Sequence, residues 1–196
     1  MLMPRIARLA PFARRMRSED GFSLPELIIY SIVSVIAMLI IVGIASVVVI
    51  SGETVNSNVK ASESAQSVTQ SLSDGIRNST GTKITAVTGG GQWLRARVAT
   101  RNNAAVGYVC ESWYYSPTDQ TIRYDLSPTT AAPTAPSDSW LLLADGVTPV
   151  SGTGIFGGSW SRLTIKFDVT EREGTPSRVN AVNASRATTE MGSPCY

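Results

Sequence analysis

Histidine is missing from the 196 residues and cysteine occurs twice. The first absence removes the commonest general base and the commonest metal ligand. The second leaves Cys110 and Cys195 as the only thiols, and if they pair no nucleophilic sulfur remains. No phosphate-cradling Gly-Lys loop, zinc-ligand spacing, dinucleotide fingerprint or internal repeat is present. Glu171 and Glu173 flank Arg172 just before Gly174 and Pro176, which is the composition of a solvated turn rather than of an acid–base pair. These absences point away from an enzyme, a bound metal or a cofactor.

What the chain has is a long charge-free run. Leu27 to Gly52 carries no charged side chain, and its 26 residues at about 1.5 Å each suffice to cross a ~30 Å hydrocarbon layer. Arg5, Arg8, Arg14, Arg15 and Arg17 precede it, whereas Lys60 stands against Glu53 and Glu63 beyond it. This asymmetry predicts an N-terminus in the cytoplasm and everything after Gly52 outside. The run is too long for the apolar core of a secretory signal, and Ala45 is followed by Val47-Val48-Val49-Ile50 rather than by a cut site. Glu26 is the anomaly, since a carboxylate at the edge of a lipid-grade helix is expensive unless it has a task.

The segment Arg17-Ser18-Glu19-Asp20-Gly21-Phe22-Ser23-Leu24-Pro25-Glu26-Leu27 joins a basic leader, a Gly-Phe junction and that carboxylate. Across residues 14–50 it resembles the class III signal of type IV prepilins and pseudopilins. The resemblance implies that a prepilin peptidase cuts between Gly21 and Phe22 and N-methylates Phe22. It also gives Leu24, Glu26 and Leu27 to recognition by the peptidase and to assembly. Pro25 departs from the family's aliphatic residue, yet a first helical turn tolerates proline. Implied partners are the peptidase, other pilin subunits in a homo- or heteropolymer, and an assembly platform in the membrane. The implied course is a single-pass protein of the cytoplasmic membrane that ends in a surface filament, with Glu26 pairing the Phe22 ammonium of a neighbour. A pseudopilin of a secretion or DNA-uptake machine, or a membrane-anchored surface binding protein that never polymerises, are the alternatives.

The expected divisions are a leader at 1–21, a membrane and assembly helix at 22–50, its amphipathic continuation at 51–78 and a β-rich extracytoplasmic domain at 79–196. Removing the leader leaves 12 basic against 13 acidic residues, so bulk charge carries no nucleic-acid footprint. Val55, Val59, Ala65, Val68, Leu72 and Ile76 recur at helical spacing, and Gly75, Asn78 and Gly81 supply stop signals near Arg77. Gly43 and Gly52 are its weak points.

Beyond the helix, Arg162–Val169 alternates apolar and polar residues without error. Looser runs at 83–88, 92–100, 104–115, 121–126, 140–144 and 178–187 predict an antiparallel sheet of about five to seven strands, hence an α+β fold. Ser127–Ser139 and Gly146–Ser159, rich in proline and glycine respectively, are expected to be loops. Cys110 and Cys195 outside the membrane read as one disulfide, or as two reduced buried thiols. Pilins commonly tie down this end of the chain, so the resemblance favours the bond. Val106, Tyr108 and Cys110 share one strand face, expected to point inward. Trp93, Arg95 and Arg97 share another face and Arg101 follows, a set that fits base stacking and phosphate contact with DNA, or simply the wet side of a strand or a subunit contact; a surface ligand is the other candidate partner of the domain.

Overall fold

The computed structural model describes residues 23–196 apart from Asn103, Ala104, Thr153 and Glu173. It divides into two compact units, one ending at Val48 and the other spanning Val49–Tyr196. Helix α1, Leu24–Arg77, contributes to each.

In the first unit, the helix starts where the Ser23 carbonyl accepts hydrogen bonds from the Glu26 and Leu27 amides at 2.9 and 3.2 Å. Pro25 lies in the first turn, where a missing N–H is no loss, and Glu26 lies at the positive end of the helix dipole. Every side chain from Leu24 to Val48 is exposed. The hydroxyls along this stretch turn back on their own backbone, Ser31 to the Ile28 carbonyl at 2.8 Å and Ser46 to the Val42 carbonyl at 2.9 Å. Such bonds leave the hydroxyl satisfied without water, as a membrane span requires, although Thr54 and Thr69 further along α1 make them too. α1 is long and apolar enough to cross a membrane.

In the second unit, α1 buries Ala61, Ala65, Val68, Leu72, Gly75 and Ile76. Val55 and Val59, counted with that stripe from their spacing, stay 60% and 47% exposed. At 100° per residue they stand well to one side of it, so the core face begins only at Ala61.

The described chain after α1 forms nine strands in two antiparallel sheets. The first sheet runs in sequence order: β1 (Ser79–Val87), β2 (Gly91–Asn102), β3 (Ala105–Ser116), β4 (Thr121–Pro128) and β5 (Leu141–Ala144). In the second, β8 (Arg162–Val169) pairs with β6 (Val147–Pro149) and β7 (Phe156–Ser159), and also with β9 (Ser177–Ala184). One core joins α1, Leu94, Ala96, Trp113 and Ile122 of the first sheet, and Leu163, Ile165, Phe167 and Val169 of the second. The arrangement is α+β, a long N-terminal helix packed on antiparallel sheets.

Two sheets replace the single one expected. The segment from Gly146 to Ser159 is not a plain loop but supplies β6 and β7, both too short for their period to register. Gln92 brings β7 in: its Oε1 accepts from the Ile155 and Phe156 amides at 2.7 and 2.8 Å, and its Nε2 donates to the Phe156 carbonyl at 3.0 Å, while β6 is tied by the Val147 amide to the Gln120 carbonyl at 2.7 Å. Three bonds from one side chain thus satisfy backbone groups where the two sheets meet.

Candidate functional site

Two regions hold the residues singled out by chemistry. At the start of α1, Leu24 and Leu27 are 77% and 63% exposed, and Glu26 lies between them. Gly21 and Phe22 fall outside the described residues. Ser23-Leu24-Pro25-Glu26 also has the spacing of a capping box, so Glu26 stands where an N3 acidic residue supports helix entry.

The second region is the face of the first sheet turned away from α1. Cross-strand register sets its rows: Thr85–Trp93–Tyr114–Arg123, Lys83–Arg95–Ser112–Asp125, Gly81–Arg97–Cys110–Ser127, Ala99–Tyr108 and Arg101–Val106. Trp93, Arg95, Arg97 and Arg101 therefore do share a face. Trp93 is not an open platform, however. It is only 5% exposed, with Arg95 stacked on its ring at 4.2 Å and Trp140 tilted against it at 6.2 Å. Arg123 holds Trp140 there by donating to the Asp138 and Trp140 carbonyls at 2.8 and 3.2 Å. Arg97 covers Tyr108 in the same way, at 3.7 Å.

Val106, Tyr108 and Cys110 lie on this outer face and not inward. The opposite phase of β3 carries Trp113 and Tyr115, both at most 1% exposed, and burying two large rings outweighs burying a valine and a tyrosine. Cys110 is buried all the same, because the C-terminal segment crosses over it. A disulfide joins it to Cys195, with Cα atoms 5.4 Å apart. The Met191 amide donates to the Thr80 carbonyl at 2.8 Å, and the Thr80 hydroxyl donates to the Met191 carbonyl at 2.7 Å.

A third group escaped sequence reasoning. A cavity of about 320 Å³ opens between the end of α1 and β2–β4, lined by Ser71, Asp74, Asn78, Thr100, Glu111 and Tyr124 among others. Burial, with Asp74 opposite, pushes the Glu111 carboxyl up to about 7, and burial together with Glu111 and Asp125 pushes the Tyr124 phenol up to about 12. Glu111 shares its phase of β3 with Trp113 and Tyr115, the phase that the expectation of an inward Cys110 turned outward; with that phase corrected it faces α1, where Asp74 stands opposite.

No family model, no curated protein and no solved structure matches the chain.

Proposed function

We propose that this chain is a type IV pilin-like subunit, cut after Gly21, methylated on Phe22, held in the cytoplasmic membrane by the first part of α1 and then packed through that same helix into a surface filament. The observation that carries the reading is an apolar helix that starts beside the Gly21-Phe22 junction and has none of its membrane-grade window buried. Lipid covers such a surface before assembly and like helices cover it afterwards, so one sequence serves two solvents. Glu26 gives the packing its register, because a carboxylate in low dielectric is costly to leave unpaired and the Phe22 ammonium of a neighbour is the available partner.

The test separates charge from capping. Glu26→Ala and Glu26→Gln should both insert and be processed as the wild type is, since neither alters Gly21 or Phe22. Sheared filaments and membranes from the same cells are then compared for subunit content. Both variants are expected to leave filaments depleted at least about tenfold, the equivalent of about 1.4 kcal/mol at 25 °C in assembly. Glutamine can replace glutamate in a capping box. Normal filaments from Glu26→Gln alone would therefore reduce the residue to a helix cap and remove the register role.

A further inference from the structure

The outer face of the first sheet gathers basic side chains that make no direct ion pair, with Asp125 at the far end of the Lys83–Arg95–Ser112 row and Glu190 beside Gly81 as the acidic residues on that side. Lys83 and Arg95 are direct cross-strand partners, and Arg97 is the next residue on the same face. Opposed like charges at ~5 Å are destabilising in a sheet, and a diagonal neighbour at about 7–8 Å adds to the repulsion. Among the described residues the one ion pair is Arg178 with Asp168, so none of Lys83, Arg95, Arg97 and Arg101 has a carboxylate within salt-bridge distance. This stands out in a mature chain with more acidic than basic residues.

The guanidinium groups are also held in place. Arg95 lies flat on Trp93 with Nη2 donating to Thr85 at 3.1 Å, and Arg97 lies flat on Tyr108 with Nη1 at 3.5 Å from the Met191 carbonyl. A guanidinium stacked by its face keeps its N–H groups pointing outward in the plane, and Arg95 Nη1 and Arg97 Nη2 have no protein acceptor. Lys83, over the Tyr196 ring at 5.9 Å, and Arg101 are both exposed and extend the row at either end. Successive residues on one strand face are about 7 Å apart, so the charges form a strip and not a point site.

We infer that Lys83, Arg95, Arg97 and Arg101 form a strip that binds the phosphodiester backbone of duplex nucleic acid by charge, without reading bases. Trp93 and Tyr108, the rings beside Arg95 and Arg97, are occupied by those arginines. Recognition is therefore left to in-plane donors and charge density. A duplex, with about one charge per 1.7 Å of axis, offers every cation of the strip a phosphate. The inference is independent of filament assembly, which uses Glu26 and α1.

The experiment is fluorescence anisotropy of the chain from Phe22 onward, free of the five leader arginines, in nonionic detergent, titrated onto a labelled duplex of about 20 base pairs. Three to four phosphate contacts predict a slope of log K against log salt of about −3 to −4, a loss of roughly 60- to 250-fold between about 50 and 200 mM salt. Lys83→Gln and Arg101→Gln, both at exposed positions, should each weaken binding severalfold, reduce the slope by about 1 and leave the melting temperature unchanged. Absence of binding at about 50 mM salt, or a slope unchanged in the Lys83→Gln/Arg101→Gln double variant, overturns the inference. Tighter binding of a single strand than of the duplex overturns the backbone-only mode. Tighter binding of heparin than of the duplex reassigns the strip to acidic polysaccharide.

Discussion

Glu111 sits half-buried on β3, makes no hydrogen bond to any described residue, and lines the same cavity as Asp74 of α1. Its carboxyl titrates near 7 in the fold, against 4.5 for the free group, because burial and a neighbouring carboxylate both disfavour the charge. The folded state therefore holds the proton more tightly than the unfolded chain. The contribution of Glu111 to stability is full below about 4.5, is lost as the pH rises toward 7 and changes little above that. The loss is on the order of 2–3 kcal/mol once residual exposure is discounted. The Asp168–Arg178 pair, whose carboxyl is held below its ordinary value, acts in the opposite direction at acid pH. Glu111→Gln should raise the melting temperature at alkaline pH and flatten the profile between pH 5 and pH 7, read by thermal unfolding in buffers across that range. A variant with the wild-type slope would show that another group controls the acid side. Gly75 sets the neighbouring contact: a Cβ there would run into the Glu111 carboxylate and the buried Trp113 ring, whose Nε1 donates to Ser71 at 2.9 Å. Alanine gains up to ~1 kcal/mol of helix propensity, but overpacking against a ring with nowhere to move costs about 1–3 kcal/mol. Gly75→Ala should therefore lower the denaturation midpoint, and a raised midpoint would mean that α1 can shift away from β3. Glycine near the helix end was readable from sequence as a stop signal, whereas its role as the floor under Trp113 depends on a contact 38 positions away in the chain.

At the scale of elements, α1 ends at Arg77, where the stop signals of Gly75, Asn78 and Gly81 placed it, and β8 keeps the strict alternation of its sequence, with Leu163, Ile165, Phe167 and Val169 all buried. Both were legible because a long period on a one-sided surface is a local signal. The second sheet was not, because β6 and β7 are three and four residues long, with β7 located by the Gln92 side chain and β6 by the bond from the Val147 amide to the Gln120 carbonyl rather than by any pattern of their own. Gln92→Ala should leave β1–β5 intact while amides of β7 lose hydrogen-exchange protection, at a cost of about 1–3 kcal/mol for buried groups left unpaired. Uniform loss of protection across both sheets would show that they open as one unit. The C-terminal segment behaves as a strap over the outer face, closed by Cys110–Cys195 across 85 positions. Chain entropy assigns such a closure about 4–5 kcal/mol. Reduction should lower the melting temperature and expose Cys110 to alkylation, and an unchanged melting temperature after complete reduction would assign the stability of this end to the Thr80–Met191 bonds instead.

For the whole molecule, the account is that a near-neutral domain of helix and two sheets is carried on an apolar helix that must exchange one apolar surrounding for another. On the proposed reading the leader is removed, because five arginines that suit the orientation of a membrane span have no place inside a packed helical filament. The membrane-grade helix was evident from the charge-free run alone, and the two roles proposed for it rest on the position of Glu26 rather than on any contact within one molecule. The central claim is that cleavage and methylation create the terminus that Glu26 pairs with. Its most direct test is N-terminal sequencing with intact mass measurement on protein isolated from the cells that make it. The account predicts a chain of 175 residues beginning at N-methylated Phe22. A chain beginning at Met1 would contradict it, and would leave the protein an uncleaved membrane anchor.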